Sequence, residues 1–192
     1  MARSLKSGER LAESTWAEKL NVNRADVKQA MSRLQGEGLL TAGSKGGFFV
    51  KEFTQEELNE LYEIRNILET AAAERAIAHA TRQDLDQLES IAVLMQNLAE
   101  NGYVMGLREA DLDFHETLVK CAHNKKLEQL YQMANLPISV LVNSEMIDKQ
   151  ILVKSIQDHL RIVQNIRAGN KDEVLRLLNH QFNAIVSENK LS

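Results

Sequence analysis

Apolar residues recur every three or four positions through most of the chain after residue 53. This spacing buries one face of an amphipathic helix, and no segment there alternates as a strand would. Thr81-x-x-Asp84 offers a capping residue at one helix start, and Gly169-Asn170 offers a stop. The pattern predicts a mainly α protein with an antiparallel bundle of about six helices, at about 54–80, 81–101, 104–122, 124–146, 149–168 and 171–189.

The first fifty residues have a different order of elements. A short helix at 13–20 and a turn at 21–23 precede a helix that runs from Arg24 to about Gln35, with Asn23 as its N-cap. Two strands, 39–41 and 48–50, then form a hairpin with a basic tip. Helix, turn, helix and basic hairpin is typical of a winged helix-turn-helix, which places its second helix in the major groove of DNA. The residues expected to pack inward from that helix are Val27, Ala30, Met31 and Leu34.

Composition favours long helices and argues against several classes of protein. The chain of 192 residues has nine Gly and one Pro, well below average usage, which argues against a turn-rich all-β fold. Its single cysteine, Cys121, excludes an intrachain disulfide and a structural cysteine zinc site. The start has no apolar run, and the longest candidate for a mostly apolar run, 136–142, is far short of the roughly 20 residues that span a bilayer. We therefore expect a cytoplasmic protein without a membrane partner.

Charge divides the chain into two parts. Residues 1–51 contain nine Lys or Arg and five Asp or Glu, a net charge of +4, which leaves −8 for the remainder. Six of the nine glycines also lie in the first 47 residues. We predict two domains, 1–52 (the head) and 53–192 (the body), of which only the head faces a polyanion.

Four polar residues interrupt apolar helix faces of the body. Asp111 and His115 lie one turn apart on the third predicted helix of the body, His159 lies on the fifth, and His180 lies at the edge of an apolar face on the sixth. A lone inward histidine is more often a satisfied core residue than a ligand. One carboxylate and three imidazoles from three helices of a bundle can also form a site for a divalent transition metal ion such as Zn²⁺, Ni²⁺ or Mn²⁺.

Arg65 lies on the apolar side of the first body helix, and two explanations remain open. The side chain could snorkel or form a salt bridge with an acid such as Glu69. Alternatively, its guanidinium could anchor the carboxylate of a small organic acid whose other oxygens meet the metal ion.

Residues 5–50 resemble the DNA-binding domain of GntR-family transcription regulators. The matching motifs are Gly8-Glu9-Arg10-Leu11, Val22-Asn23-Arg24 and the wing Gly47-Phe48-Phe49-Val50. The resemblance implies that Arg24 and Lys28 contact double-stranded operator DNA, with Lys45 and Gly46 of the wing behind them. The family usually has a helix before the first motif, and we expect this helix to be missing or truncated here.

Residues 54–189 resemble the FCD domain, the ligand-sensing domain of FadR-type GntR regulators. The similar segments are ELNELYEIRNILETAAAERA, DLDFHETLVKCAHNKKLEQL, DHLRIVQNIRAGNKDEV and LLNHQF. In metal-binding members, an Asp, the His four residues later and two further histidines hold the ion. The resemblance carries these roles to Asp111, His115, His159 and His180, and effectors of the family are often small organic acids.

The leading hypothesis is a homodimeric, metabolite-responsive transcription regulator, not an enzyme. Its body would bind a divalent metal ion and a small carboxylate, and the ligand would favour one arrangement of two heads on DNA. One alternative is a metal-dependent hydrolase whose ion activates water, although the chain has no H-E-x-x-H motif. The other is a sensor domain with a non-functional DNA-binding head.

Overall fold

The computed structural model describes residues 5–44, 46–141 and 149–189, with side chains omitted for 135–141, 149–155 and 185–189. The chain folds into two compact units, Met1–Thr54 and Gln55–Ser192. The described residues are mainly helical, as the sequence predicts. Among them, no helix combines the length and the apolar character that crossing a membrane requires.

The first unit is a helix pair beside a small antiparallel sheet. Its elements are β1 (Arg10–Leu11), α1 (Glu13–Leu20), α2 (Arg24–Gly36), β2 (Leu40–Ala42) and β3 (Phe48–Val50). β3 lies between β1 and β2, so that Leu11 pairs with Phe48 and Leu40 pairs with Val50. The sequence analysis missed β1, whose two residues are too few to show alternation. The sequence analysis expects the first helix of the family to be missing or truncated; this prediction falls on residues 1–4, outside the described residues, and residues 5–9 contain no helix.

The start of α2 is the predicted one. The Asn23 side chain accepts a hydrogen bond from the backbone N–H of Asp26 at 2.8 Å, and the carboxylate of Asp26 accepts one from the Asn23 amide. The core of this unit is formed by Leu11, Val27, Met31, Leu40 and Phe48, with Leu34 packed against it. Ala30 is exposed, contrary to the prediction, because it lies at the edge of the narrow stripe that faces the sheet.

The second unit is a bundle of helices. Those within the described residues are α3 (Gln55–His79), α4 (Arg82–Glu100), α5 (Val104–Lys120), α6 (Lys125–Leu141), α7 (Lys149–Ala168) and α8 (Lys171–Asn189). α3 packs against α5, α6, α7 and α8. Thr81 and Asp84 form the predicted capping box of α4. The predicted continuation of the fourth helix to residue 146 falls outside the described residues.

Two apolar clusters fix the bundle around its polar residues. The larger cluster joins α3, α4, α5, α7 and α8 and includes Phe114 and Ile162, both fully buried. The smaller one joins α3, the end of α5 and α6, and consists of Ala72, Val119, Ala122 and Tyr131. Together they bring one face of α5 against α3 and α7, where the candidate ligands lie.

Candidate metal centre

Three of the four predicted ligands meet between α5 and α7. Asp111 and His115 are four residues apart on α5, a spacing that places them on one helix face. Oδ1 of Asp111 lies 3.8 Å from Nε2 of His115 and 3.2 Å from Nε2 of His159, and the two Nε2 atoms are 3.4 Å apart. These atoms form a compact triangle contributed by two helices.

The dimensions of this triangle fit a bound ion. Nitrogen and oxygen ligands lie about 2.0–2.2 Å from a transition metal, which separates neighbouring ligand atoms by about 3.0–3.5 Å. Two of the three separations are within this interval and the third is slightly longer. The site therefore offers one carboxylate oxygen and two imidazole nitrogens, a donor set suited to a divalent transition metal.

The site is shielded from solvent on its apolar side. His159 is fully buried, His115 is buried, and the side chain of Asp111 is 19% exposed. The ring of Phe114 meets both imidazoles edge to face, with ring centroids 5.5 Å from His115 and 4.6 Å from His159. Burial acts to raise the pKa of Asp111, but the hydrogen bond with His159 and the charges nearby hold it well below its usual range. Asp111 is thus an ionised carboxylate.

A second carboxylate lies behind His115. Oε2 of Glu69, on α3, is 2.7 Å from Nδ1 of His115, the ring nitrogen that faces away from the triangle. Oε1 of the same carboxylate accepts hydrogen bonds from Arg65 Nε at 2.5 Å and from the Tyr131 hydroxyl at 2.8 Å. Although burial acts to raise the pKa of Glu69, the charges of Arg65 and His115 hold it well below its usual range.

Arg65 forms the salt bridge that the sequence analysis offered as one of its two explanations. The guanidinium is buried, at 6% exposure, and its partner Glu69 lies one turn later on α3. Anchoring of an acid by Arg65 stays a prediction. Arg108, another buried arginine, lies close enough to the Tyr62 side chain to influence its pKa, as Arg65 and Asp111 do.

The structure does not bring His180 to the triangle. Its side chain is 63% exposed, and Nδ1 lies 2.8 Å from Oδ2 of Asp158 on α7. The next residue, Gln181, is buried instead, with its amide nitrogen 3.4 Å from Nε2 of His159. Consecutive helical residues are separated by 100° around the axis, so only one of this pair can face α7.

The predicted DNA contacts lie on α2 and in the wing. Arg24 and Lys28 are exposed, and Nε of Arg24 donates a hydrogen bond to Glu13 of α1 at 2.8 Å. Gly46 is exposed in the hairpin turn with a φ of +84°, a conformation that favours glycine. Lys45 lies outside the described residues.

Two family models match the chain. The FCD domain matches residues 60–184, and the gntR family of bacterial regulatory proteins matches residues 1–50. The chain belongs to the GntR family. This membership confirms the resemblance to GntR regulators with an FCD domain, and it makes the protein a transcription regulator of that type.

Relatives of this GntR protein are also named as regulators. It is 29% identical over 184 residues to an uncharacterised HTH-type transcriptional regulator, YdhC, of Bacillus subtilis, covering 94% of this chain and 81% of that one. It is 31% identical over 168 residues to the Nta operon transcriptional regulator of Aminobacter aminovorans, covering 86% and 77%. The structure of Escherichia coli McbR/YncC has the same fold, with a TM-score of 0.80 at 23% identity over 97% and 89% of the two chains.

Sequence reasoning missed the contacts of Tyr131 with Glu69 and of Gln181 with His159 in this GntR protein, and it considered Glu69 only as a partner of Arg65. A signal for Gln181 existed, because it continues the buried i, i+3, i+4 series Val174, Leu177 and Leu178. No comparable local signal connects Tyr131 with Glu69, since these residues are 62 positions apart.

Proposed function

We propose that this GntR regulator binds a divalent transition metal ion through Asp111, His115 and His159, and that a small organic acid binds beside the ion and modulates operator binding. The observation that carries the proposal is the ligand-sized triangle of three donor atoms from α5 and α7. Zn²⁺, Ni²⁺ and Mn²⁺ all accept imidazole and carboxylate ligands.

The surroundings of the triangle support an ion rather than an ordinary polar core. Two imidazoles turn ring nitrogens toward one carboxylate oxygen, and Glu69 approaches the other nitrogen of His115. Metal-binding histidines commonly direct their second ring nitrogen to such an outer carboxylate, which fixes the ring orientation. A bound divalent ion would supply the positive charge that balances these two acids.

The charges around the triangle favour an anionic effector. Asp111 and Glu69 together carry −2, whereas Arg65 carries +1 and a divalent ion would carry +2. The sum is +1 with neutral imidazoles, which favours an incoming carboxylate. One relative is named for the galactonate operon in Escherichia coli, and galactonate is an organic acid of this chemical class. We propose Arg65 as an anchor for a second anionic group of the effector.

The head, residues 1–52, binds double-stranded operator DNA in this proposal. Arg24 and Lys28 would contact it from α2, and Lys45 and Gly46 would contact it from the wing.

A homodimer would place two heads on two half-sites spaced by the helical period of DNA. Sedimentation at micromolar concentration should then show a species of twice 21.7 kDa, and a monomer alone would contradict the dimer.

Metal retention tests the site directly. The full chain, stripped with a chelator and dialysed against Zn²⁺, Ni²⁺ or Mn²⁺, should retain one equivalent, and the ion should raise its melting temperature because it binds only the folded state. We expect His115→Ala and His159→Ala to abolish most retention. His79→Ala, an exposed histidine at the end of α3, is the control. Equal retention in the three variants would refute the site.

Operator binding with and without ligand tests the regulation. In an electrophoretic shift with genomic fragments, citrate, malate or galactonate should change the affinity of the metal-loaded protein for DNA and should have less effect after chelation.

A chain that never binds DNA would favour the alternative of a sensor with a non-functional head. Relatives named as transcription regulators favour the regulator over the hydrolase alternative, and turnover screening with added metal addresses the latter. Such a regulator would act in the cytoplasm, with the DNA.

A further inference from the structure

Arg10 of β1 faces solvent beside the wing turn, residues 43–47, which joins β2 and β3. In the sheet, Arg10 is paired with Phe49 and Leu11 is paired with Phe48. Successive residues of a strand point to opposite faces, and Leu11 is buried in the core of the head while Arg10 is exposed. Arg10 therefore presents its side chain on the outer face of the sheet, where β3 leaves the wing turn.

The guanidinium of Arg10 lies against Gly47. A Cβ atom on Gly47 would be only 3.3 Å from Nε and 3.5 Å from Nη2 of Arg10, and the φ of Gly47 is +90°, a conformation that favours glycine. Gly43 and Gly46 add no side chain to the same turn, which is closed by a hydrogen bond from the Gly43 N–H to the Gly47 carbonyl at 3.0 Å. A nucleic-acid backbone can therefore come close to the turn and to the guanidinium beside it.

The positive charge of Arg10 is available to a ligand. Two other arginines that the structure describes in the head are already paired, Arg24 with Glu13 and Arg33 with Glu37, each at 2.8 Å. Within the described part of the chain, the guanidinium of Arg10 makes no ion pair or hydrogen bond. An exposed guanidinium without a carboxylate partner can bind an anion without first breaking an ion pair.

The acid next to Arg10 in the chain is engaged elsewhere. Oε2 of Glu9 accepts a hydrogen bond from the backbone N–H of Lys6 at 3.1 Å. Glu9 thus closes its own turn instead of pairing with the guanidinium of Arg10.

We propose that Arg10 binds a phosphate group of the operator duplex beside the wing, an inference that rests on the proposed DNA binding by the head. Gly47 adjoins the start of β3, so the guanidinium lies at the base of the wing turn and not at its tip. Phosphates are the outermost groups of a duplex, and such contacts fix the position of a protein on DNA without reading its sequence. The parallel N–H groups of a guanidinium match two phosphate oxygens.

The salt dependence of DNA binding tests this contact. Affinities of the full chain are measured for a genomic fragment that the parent retards in electrophoresis and for a scrambled duplex of the same length. Arg10→Gln should weaken binding to both duplexes by a similar factor, about tenfold, because a phosphate contact is independent of sequence. Loss of one phosphate contact also lowers the salt slope by about 0.9. Raising the salt from about 50 to about 200 mM should therefore cost Arg10→Gln about 3.5-fold less affinity than it costs the parent.

Two further variants separate the charge of Arg10 from its packing. Arg10→Lys keeps the positive charge and should keep the salt slope of the parent, although it loses the paired N–H groups. Arg82→Gln, at an exposed arginine of the body, is the matched control and should change neither the affinity nor the slope. Circular dichroism should show that the three variants fold, since both side chains are exposed.

The failures of this inference and of the proposed DNA binding are distinguishable. If Arg24→Ala and Lys28→Ala weaken binding while Arg10→Gln keeps the affinity and slope of the parent, Arg10 does not bind phosphate and the proposed interface on α2 stands. A loss confined to the genomic fragment would overturn the phosphate assignment in favour of a base contact. Equal loss of slope in Arg10→Gln and Arg10→Lys would reduce Arg10 to a packing residue of the wing. If the parent binds no duplex at all, the proposed DNA binding itself fails.

Discussion

Nδ1 of His115 lies 2.7 Å from Oε2 of Glu69, and this contact directs Nε2 of the same ring toward Asp111 and His159. Glu69 is held in turn by Arg65 and by the hydroxyl of Tyr131. Burial raises the pKa of Tyr131 well above its ordinary value, so its hydroxyl stays protonated and donates. The orientation of the candidate ligand is therefore set by α3 and α6, neither of which contributes to the triangle.

Removing the charge of Glu69 should weaken metal binding without deleting a ligand. We expect Glu69→Gln to lower metal affinity about 10–100-fold, because the outer carboxylate orients His115 and raises its basicity. Chelator competition with the purified full chain measures this. Glu63→Gln, an exposed residue on the same helix, is the control. An unchanged affinity in Glu69→Gln would show that the contact is only structural.

Breaking the buried salt bridge should destabilise the body strongly. Arg65→Met leaves the buried Glu69 carboxylate without its main counter-charge, and we expect the free energy of unfolding to fall by about 3–5 kcal/mol. Arg65→Met with Glu69→Gln should recover much of this loss, because a neutral amide still accepts from Tyr131. Urea denaturation followed by circular dichroism provides the values. Arg167→Met, which breaks exposed ion pairs with Asp86 and Glu89, should change stability far less, because solvent screens those charges.

Operator affinity should depend on the exposed face of α2. Arg24→Ala and Lys28→Ala should each weaken binding, and Arg24→Ala should also relax sequence preference by about 1–3 kcal/mol if it reaches a base edge. Glu13→Gln should maintain or strengthen binding, because it releases Arg24 from its ion pair and removes a negative charge. Arg82→Ala in the body is the control. Parental affinity in both α2 variants would refute this interface.

The single thiol should be unreactive and should make stability fall at high pH. Burial raises the pKa of Cys121 to about 12, with a smaller contribution from Asp84. When the pH rises above about 8.5, the ordinary pKa of a thiol, the unfolded chain loses its thiol proton before the folded chain does. The unfolded state then binds fewer protons than the folded state, so stability falls as the pH rises toward 12. Ellman's reagent should label the native chain at pH 8 much more slowly than the urea-unfolded chain. Rapid native labelling would contradict this burial, and Cys121→Ala should reduce the loss of stability at high pH, leaving the part that comes from buried Tyr131.

The sequence alone determined the features of this protein that depend on interactions between residues close together in the chain. The helix pattern, the Asn23 cap, the Thr81 capping box and the shared face of Asp111 and His115 depend on residues within one or two turns of each other. The motifs of the two families are equally contiguous, so membership also followed from sequence. These features need no knowledge of which helices pack together.

Tertiary structure alone decided which neighbouring residue faces the site. His180 and Gln181 differ by 100° around α8, and the packing of α8 against α7 and α3 turns the glutamine inward and leaves the histidine exposed. Ala30 was misplaced for a similar reason, at the edge of a stripe whose limits depend on the sheet beside it. The contact of Glu69 with Tyr131, across 62 positions, likewise exists only because α6 packs on α3. Periodicity fixes the relative angles of residues on a helix, but the rotation of that helix in the bundle is fixed by long-range packing.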